Sequence, residues 1–250
     1  LGSQAIKEGK TVIHYTLELQ DTVIANRYDS CITGYPLSNL MNFKEEIYNE
    51  IKDLDGTLIV KEYPTKSATV NTIKAHLNKL RKRGINPGLI IVDYADLLKP
   101  VVVRKEKRAE LETIYEDLRG MANEYDCPIW TASQTNRSGL NAEVITMEQI
   151  SEAFNKCFVA DFIMSVSRTI EDKQNNTGKI FIAKNRNGPD GIVYDIFMDT
   201  SNVKIKTMPK TNTVSANPVT KMISTSPVAL GTKKQKELLL NKYEKYRKMK

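Results

Sequence analysis

Apolar residues recur with two spacings up to about residue 207, and together these predict strands that alternate with helices. Short runs of apolar and β-branched residues predict strands at 11–17, 57–60, 89–92, 128–132, 162–166, 180–183 and 193–198. Helical composition predicts helices at 3–8 and 21–31, and apolar residues three and four positions apart predict amphipathic helices at 43–54, 70–80 and 109–125. This alternation predicts an α/β fold with a mainly parallel central sheet and helices on both faces. The last strands have short connections, so antiparallel pairs are expected at that edge.

The periodic pattern ends near residue 207, and the rest of the chain has a different composition. Residues 208–231 are rich in Thr, Ser, Pro and Asn, which predicts a linker or a disordered segment. Residues 232–250 are basic and include a possible helix. This tail fits a contact with DNA or a partner as well as it fits a solvated basic terminus. The predicted organisation is a domain over 1–207, a linker and a basic tail.

Composition narrows the classes of function. The 250-residue chain has a formal net charge of +7, which suits a polyanionic partner without identifying one. Its three cysteines form no C-x-x-C pair, so neither a disulfide framework nor a zinc site is predicted, and a reducing, cytoplasmic location is expected. No apolar run approaches the length of a membrane span. The chain begins Leu1-Gly2-Ser3, and we expect a fragment whose N-terminus lies upstream.

A carboxylate, Asp93, directly follows the apolar run of the strand at 89–92. In open α/β sheets, ligands bind beyond the carboxyl ends of the strands, where an aspartate can hold the Mg²⁺ of a nucleotide. Apolar runs that end in Asp are common, however, and a turn aspartate is the alternative. Asp96 could assist the metal, but we expect it to cap the following turn.

Two other predicted strands end in residues that suit phosphoryl transfer. Glu18 follows the strand at 11–17 and is a candidate base that polarises an attacking water. Gln134 follows the strand at 128–132, where its amide can hydrogen-bond the γ-phosphate or its water. The alternative for Glu18 is an ordinary surface residue at a strand–helix junction.

A pair of cations, Lys184 and Arg186, lies two residues apart on an extended segment, so both side chains point the same way. Arginine is suited to stabilise the charge that spreads over a transferring phosphoryl group. The alternative is a pair of solvated cations on an edge strand.

Taken together, these segments resemble the C-terminal motor domain of the DnaB-like replicative helicases. The sequence around Asp93 is more similar to phage members of the family than to bacterial ones. The resemblance covers about residues 1–206. The matching pieces are Thr16-Leu17-Glu18-Leu19, Val92-Asp93-Tyr94, Ala132-Ser133-Gln134-Thr135-Asn136-Arg137 and Ala183-Lys184-Asn185-Arg186-Asn187-Gly188-Pro189, in family order. The resemblance implies a RecA-like three-layer fold.

The resemblance also implies an enzyme, an ATP-dependent DNA helicase, that forms a ring of usually six subunits around single-stranded DNA. ATP and Mg²⁺ would bind between neighbours, with Glu18, Asp93 and Gln134 from one subunit and Lys184 and Arg186 from the next. DNA would contact two loops at about 99–108 and 136–149, whose cations are Arg104, Lys105, Lys107, Arg108 and Arg137. Primase and a helicase loader are the further partners that the resemblance suggests.

Two parts of the family pattern are not found in the sequence. Gly9-Lys10-Thr11 matches only the end of the phosphate-loop pattern G-x-x-x-x-G-K-[ST], because Gln4 replaces its first glycine and Thr11 opens a strand. We therefore expect the phosphate loop directly upstream of Leu1. The N-terminal domain that meets primase is also not found, so this chain alone is expected neither to bind ATP tightly nor to unwind DNA.

Two alternatives stay open at this point. A RecA-like recombinase would share the sheet, the metal aspartate and the base, but would form filaments instead of rings. A non-catalytic DNA-binding scaffold of the same fold would lack a phosphate loop by nature.

Overall fold

A computed structural model describes residues 1–136, 142–149 and 155–209, all within a compact unit that spans Leu1–Pro209. The first half of this unit contains α1 (Gly2–Lys7), β1 (Thr11–Thr16), α2 (Asp21–Thr33), α3 (Lys44–Ile51), β2 (Thr57–Glu62), α4 (Val70–Arg81) and β3 (Leu89–Asp93). The second half contains α5 (Lys107–Tyr125), β4 (Ile129–Thr131), α6 (Asn155–Val159), β5 (Phe162–Ser167), α7 (Ile170–Asn175), β6 (Thr177–Asn185), β7 (Val193–Asp199) and β8 (Lys204–Thr207). Short 3₁₀ turns span Leu37–Phe43, Ala95–Leu97 and Met147–Gln149.

The first four strands form a parallel sheet in the order β2-β1-β3-β4, as the alternating pattern predicted. Thr16 at the end of β1 lies beside Asp93 at the end of β3. The pairing continues one residue further, because the amide of Leu17 donates to the carbonyl of Asp93 over 2.9 Å. All four carboxyl ends therefore face the same edge of the sheet.

Helices cover both faces of this sheet because successive side chains of a strand point in opposite directions. On one face, Ile13 and Ile90 pack with α4 and α5 residues such as Leu77 and Met121. On the other face, Val12 and Leu89 pack with three residues of α1 and α2, namely Ile6, Ile24 and Tyr28. The three-layer α/β arrangement that we predicted is confirmed.

The last four strands form a separate antiparallel sheet in the order β5-β6-β7-β8, not an edge of the parallel sheet. Their connections are too short for the crossover that a parallel pair requires. β8 was not predicted, since Lys204–Thr207 alternates lysine with only one large apolar residue. α7 was not predicted either. It begins with a capping box between Thr169 and Asp172.

Several predicted boundaries change by a few residues, and two of the helices are examples. The helix at 43–54 is shorter, since it begins at Lys44 after a 3₁₀ turn at Leu37–Phe43 and already ends at Ile51. α5 begins at Lys107 and not at residue 109, so Lys107 and Arg108 belong to a helix. The predicted tail at 232–250 and nearly all of the predicted linker lie outside the described residues. No helix in the described part of the chain is long and apolar enough to cross a lipid bilayer.

Candidate functional site

Asp93 lies at the carboxyl end of β3, in the interior of the parallel sheet. Its carboxylate is 35% exposed and faces the edge of the sheet. Behind it, the Nε2 atom of buried His14 lies 3.9 Å from Asp93 Oδ2. The other ring nitrogen of His14 forms a 3.0 Å hydrogen bond with the hydroxyl of Tyr28. Asp93 thus has one open side and one side backed by the protein.

The start of α1 belongs to the same edge. Gly2 packs so closely on Tyr28 that a Cβ atom there would lie 2.1 Å from the phenol oxygen. Tyr28 in turn contacts His14, which lies beside Asp93. These contacts connect the amino end of α1 with the carboxylate through buried side chains.

Glu18 lies just beyond β1, beside Asp93. The hydroxyl of Thr16 donates to the carbonyl of Leu19 over 2.7 Å and accepts from the Leu19 amide over 3.2 Å. This pair of bonds turns the chain at the end of the strand, and it leaves the Glu18 side chain exposed. A carboxylate in this position can accept a proton from a water that lies over the edge of the sheet.

Gln134 reaches the same edge from β4. Its Nε2 donates to the Tyr94 hydroxyl over 2.8 Å. Burial raises the pKa of Tyr94, and the carboxylates of Glu18, Asp96 and Asp93 raise it further. Tyr94 is therefore influenced by the charge of these three acidic groups and stays protonated at neutral pH. The structure brings Glu18, Asp93 and Gln134 to neighbouring strand ends.

The chemistry of this edge fits a magnesium–nucleotide complex. Among the described residues, no group of three or more His, Cys, Asp or Glu side chains is placed to enclose a metal ion. Mg²⁺ in nucleotide sites needs no such cage, since it keeps several waters and takes one or two carboxylates plus phosphate oxygens. Asp93 is the residue that would hold it. Binding of ATP itself needs phosphate ligands beyond these residues.

Lys184 and Arg186 lie at the end of β6, in the antiparallel sheet. Lys184 Nζ donates to the carbonyls of Cys157 and Phe158 over 2.6 and 3.2 Å. Arg186 donates to the Phe158 carbonyl over 3.0 Å and pairs with Asp161 over 2.8 Å. Burial, and next Arg186, lower the pKa of Lys184. Within the described chain these cations contact α6 and Asp161, and they do not join the Asp93 edge.

The first predicted DNA loop carries fewer cations than expected. Arg104 and Lys105 are exposed in the segment before α5, together with three exposed valines at 101–103. The Arg104 amide is held by Glu110 over 2.9 Å. Lys107 and Arg108 are also exposed but belong to the first turn of α5, which corrects the predicted loop of 99–108. Their helix keeps both side chains next to the loop.

The second predicted loop is closed at its base. The backbone N–H of Asn136 donates to the backbone carbonyl of Gln149 over 2.8 Å. Ser165 and Ser167 of β5 donate to the carbonyls of Ile145 and Glu143, which fastens the returning segment to the antiparallel sheet. Arg137, the one cation expected in this loop, lies outside the described residues.

A buried ion pair behind the site escaped the sequence analysis. Asp96 does not cap the turn after β3 but pairs with Lys156 of α6 over 2.7 Å and accepts a 2.8 Å hydrogen bond from Tyr115. Lys156 also donates to Ser133, next to Gln134, over 3.0 Å. Tyr115 and Lys156 are far from Asp96 along the chain, so no local spacing could have indicated this cluster.

Comparison with known proteins identifies the family. The family model for the DnaB-like helicase C terminal domain matches residues 2–204. The chain belongs to this family. The DnaB-like replicative helicase of Enterobacteria phage T4 is 30% identical over 184 residues, which cover 68% of this chain and 38% of that protein. Replicative DNA helicase DnaB of Mycoplasma genitalium is 25% identical over 200 residues, covering 73% of this chain and 42% of that protein. This chain thus spans less than half of each of these relatives.

Solved structures of DnaB-like proteins share the fold. A structure of a DnaB-like replicative helicase, described with its interactions with primase, superposes with a TM-score of 0.70 at 18% identity and covers 83% of this chain and 53% of that one. A solved ATPase domain gives the same TM-score and identity and is covered to 78%. The predicted RecA-like fold is confirmed. The family match supports the DnaB-like helicase interpretation and not the recombinase or scaffold alternatives.

Proposed function

We propose that the protein to which this chain belongs is an ATP-driven, ring-shaped replicative DNA helicase, and that this chain is its motor. The observation that carries the proposal is the common edge of three adjacent parallel strands, where Glu18, Asp93 and Gln134 follow neighbouring strand ends and Gln134 contacts Tyr94. A carboxylate for a metal, a carboxylate for a water and an amide for a phosphate are three of the groups that phosphoryl transfer requires.

Each group has one task in the proposed reaction. Asp93 would hold Mg²⁺, directly or through water, and the metal would supply charge neutralisation on the phosphates of ATP. Glu18 accepts the proton of the attacking water from its exposed position beyond β1. Gln134 donates to the γ-phosphate or to that water. Hydrolysis would alter this last contact, and the change would pass to Tyr94, which binds Gln134, and to the segment that follows Gln134.

The cation pair serves the pocket of an adjoining subunit. Lys184 and Arg186 rest on α6 and Asp161 of their own chain, on a different sheet from Asp93. A ring, expected to be a hexamer, would place them across the subunit boundary from the next ATP. Because these positive charges come from the neighbouring subunit, hydrolysis depends on the contact between subunits. Directional movement along a DNA strand needs such a dependence.

Single-stranded DNA is the proposed polyanionic partner of the basic segment before α5. Arg104, Lys105, Lys107 and Arg108 are exposed there and can follow the phosphates without reading sequence. Arg137 is proposed to add to this surface from the second loop. Primase and a loader are proposed as further partners, and the cytoplasm of a bacterium or of a phage-infected host as the location.

Replacing Glu18 by Gln in the full-length gene product tests the proposal directly. Loss of a general base lowers rate by about 10²- to 10⁴-fold, so we expect DNA-stimulated ATP hydrolysis to fall within that range. Glu50→Gln, the same change on the exposed face of α3, is the matched control and should leave the rate unchanged. A Glu18→Gln variant that hydrolyses ATP like the control would contradict the assignment.

A further inference from the structure

The proposed reaction makes no use of a buried lysine on α6. Lys156 is only 3% exposed, although its side chain carries a charge. Its ammonium donates to Asp96 over 2.7 Å and to Ser133 over 3.0 Å, and it lies 5.5 Å from the centre of the Tyr115 ring. A lysine is buried in this way only when partners compensate its charge. The contacts therefore hold α6 at a fixed position.

The partners of Lys156 come from the edge that carries the candidate site. Asp96 belongs to the turn that follows Asp93, and Ser133 directly precedes Gln134. Tyr115 of α5 supports Asp96 through a 2.8 Å hydrogen bond. Lys156 thus connects α6 to the two chain segments that carry Asp93, the subunit's own proposed metal ligand, and Gln134, its proposed phosphate contact.

The carboxyl end of α6 contacts the cation pair, Lys184 and Arg186. The carbonyls of Cys157 and Phe158, which the short helix cannot satisfy itself, accept hydrogen bonds from Lys184. The Phe158 carbonyl also accepts from Arg186. Asp161, just after the helix, pairs with Arg186 over 2.8 Å. Both cation side chains therefore rest on α6, while the pairing of β6 with β5 holds their backbone.

We infer that Lys156 is a positioning residue for the cation pair that this subunit lends to its neighbour. It anchors α6 on Asp96 and Ser133, and α6 in turn presents Lys184 and Arg186. The inference rests on the proposed function, because it assigns the cations to the adjoining pocket. It also gives that pocket a physical connection to the lending subunit's own nucleotide site.

The first test replaces Lys156 by Met in the full-length gene product and measures DNA-stimulated ATP hydrolysis. The substitution keeps most of the length of the unbranched side chain and removes its charge. Misplacing a catalytic group by about 1 Å costs up to roughly 100-fold in rate, so we expect DNA-stimulated kcat to fall by about 10- to 100-fold. Lys74→Met is the matched control, since Lys74 pairs with Glu124 on the surface of α4 and α5, away from α6. An unchanged kcat for Lys156→Met would overturn the inference.

Mixed rings separate an effect on the neighbour from an effect on the subunit's own pocket. A Glu18→Gln subunit lacks its own base but supplies an intact cation pair to the pocket of its neighbour. A Lys156→Met subunit keeps its base but supplies a misplaced cation pair. Mixing the two should therefore restore activity above the sum of the separate proteins. Without restoration, Lys156 acts inside its own pocket or on folding alone, and the inference is wrong.

Two further arms keep the result interpretable. The double variant Lys156→Met with Asp96→Asn removes both buried charges, so no uncompensated carboxylate is left to unfold the domain. It should behave like the single variant in both assays, and a wild-type rate would overturn the inference. Arg186→Ala mixed with Glu18→Gln tests the proposed function by itself. If that pair fails to restore activity, the trans role of the cations fails, and the role of Lys156 fails with it.

Discussion

Tyr94→Phe should impair hydrolysis by releasing Gln134. The change removes the phenol oxygen that accepts the 2.8 Å hydrogen bond from Gln134 Nε2 and leaves the aromatic ring in place. A neutral hydrogen bond contributes about 0.5–1.5 kcal/mol, which corresponds to roughly 2- to 12-fold in the population of the held side chain. Gln134 is exposed and Tyr94 is only half-buried, so the lower part of this range applies. We expect kcat to fall by about 2- to 5-fold.

A double-mutant cycle in the DNA-stimulated ATPase assay checks this reasoning. Gln134→Ala removes the same hydrogen bond together with the phosphate contact, and should therefore lower the rate more than Tyr94→Phe. In the Gln134→Ala background, Tyr94→Phe has nothing left to release and should change kcat by less than about 1.5-fold. If the two effects multiply, Tyr94 acts independently of Gln134 and the account of this edge is wrong.

Three other predictions concern packing, a helix cap and DNA. Gly2→Ala should lower stability by about 1–3 kcal/mol in thermal unfolding because its Cβ would meet the Tyr28 hydroxyl, and adding Tyr28→Phe should recover part of the loss; no recovery would contradict the contact. Asp172→Ala should cost about 1 kcal/mol at pH 7 in urea titrations. Hydrogen bonds from the Thr169 amide and from Thr177 lower the pKa of Asp172, so its contribution is complete above about pH 4 and is lost as pH falls through the folded-state pKa. A deficit that stays constant down to pH 2 would refute this. Replacing both Arg104 and Lys105 by Ala should weaken binding of single-stranded DNA and reduce the salt slope by about 1.4, whereas an unchanged slope would exclude both from phosphate contact.

The common edge of the candidate site follows from the sequence because parallel strands align their ends. An apolar run before Asp93 indicates a strand buried on both faces, and such strands occur where helices cover a parallel sheet. Once the strands before Glu18 and Gln134 belong to that sheet, their ends must share one side. Local sequence patterns were enough to predict this shared edge, since a few consecutive apolar residues indicate each strand.

Other features depend on contacts that local patterns do not record. The Lys156–Asp96 pair joins residues 60 positions apart, and neither residue differs from a surface residue by its neighbours along the chain. The separate antiparallel sheet was also underestimated, because its strands alternate polar and apolar residues weakly and β8 has little apolar content. The start of α5 was placed too late, since Lys107 and Arg108 look like part of a basic loop.

A structure of the full-length gene product with Mg²⁺ and a non-hydrolysable ATP analogue tests the central claim most directly. The account predicts the metal at Asp93, directly or through water, with Glu18 and Gln134 around the γ-phosphate. It also predicts Lys184 and Arg186 of an adjoining subunit on the same phosphate. Nucleotide bound away from the ends of β1, β3 and β4, or a phosphate contacted by the cation pair of the same subunit, would contradict it.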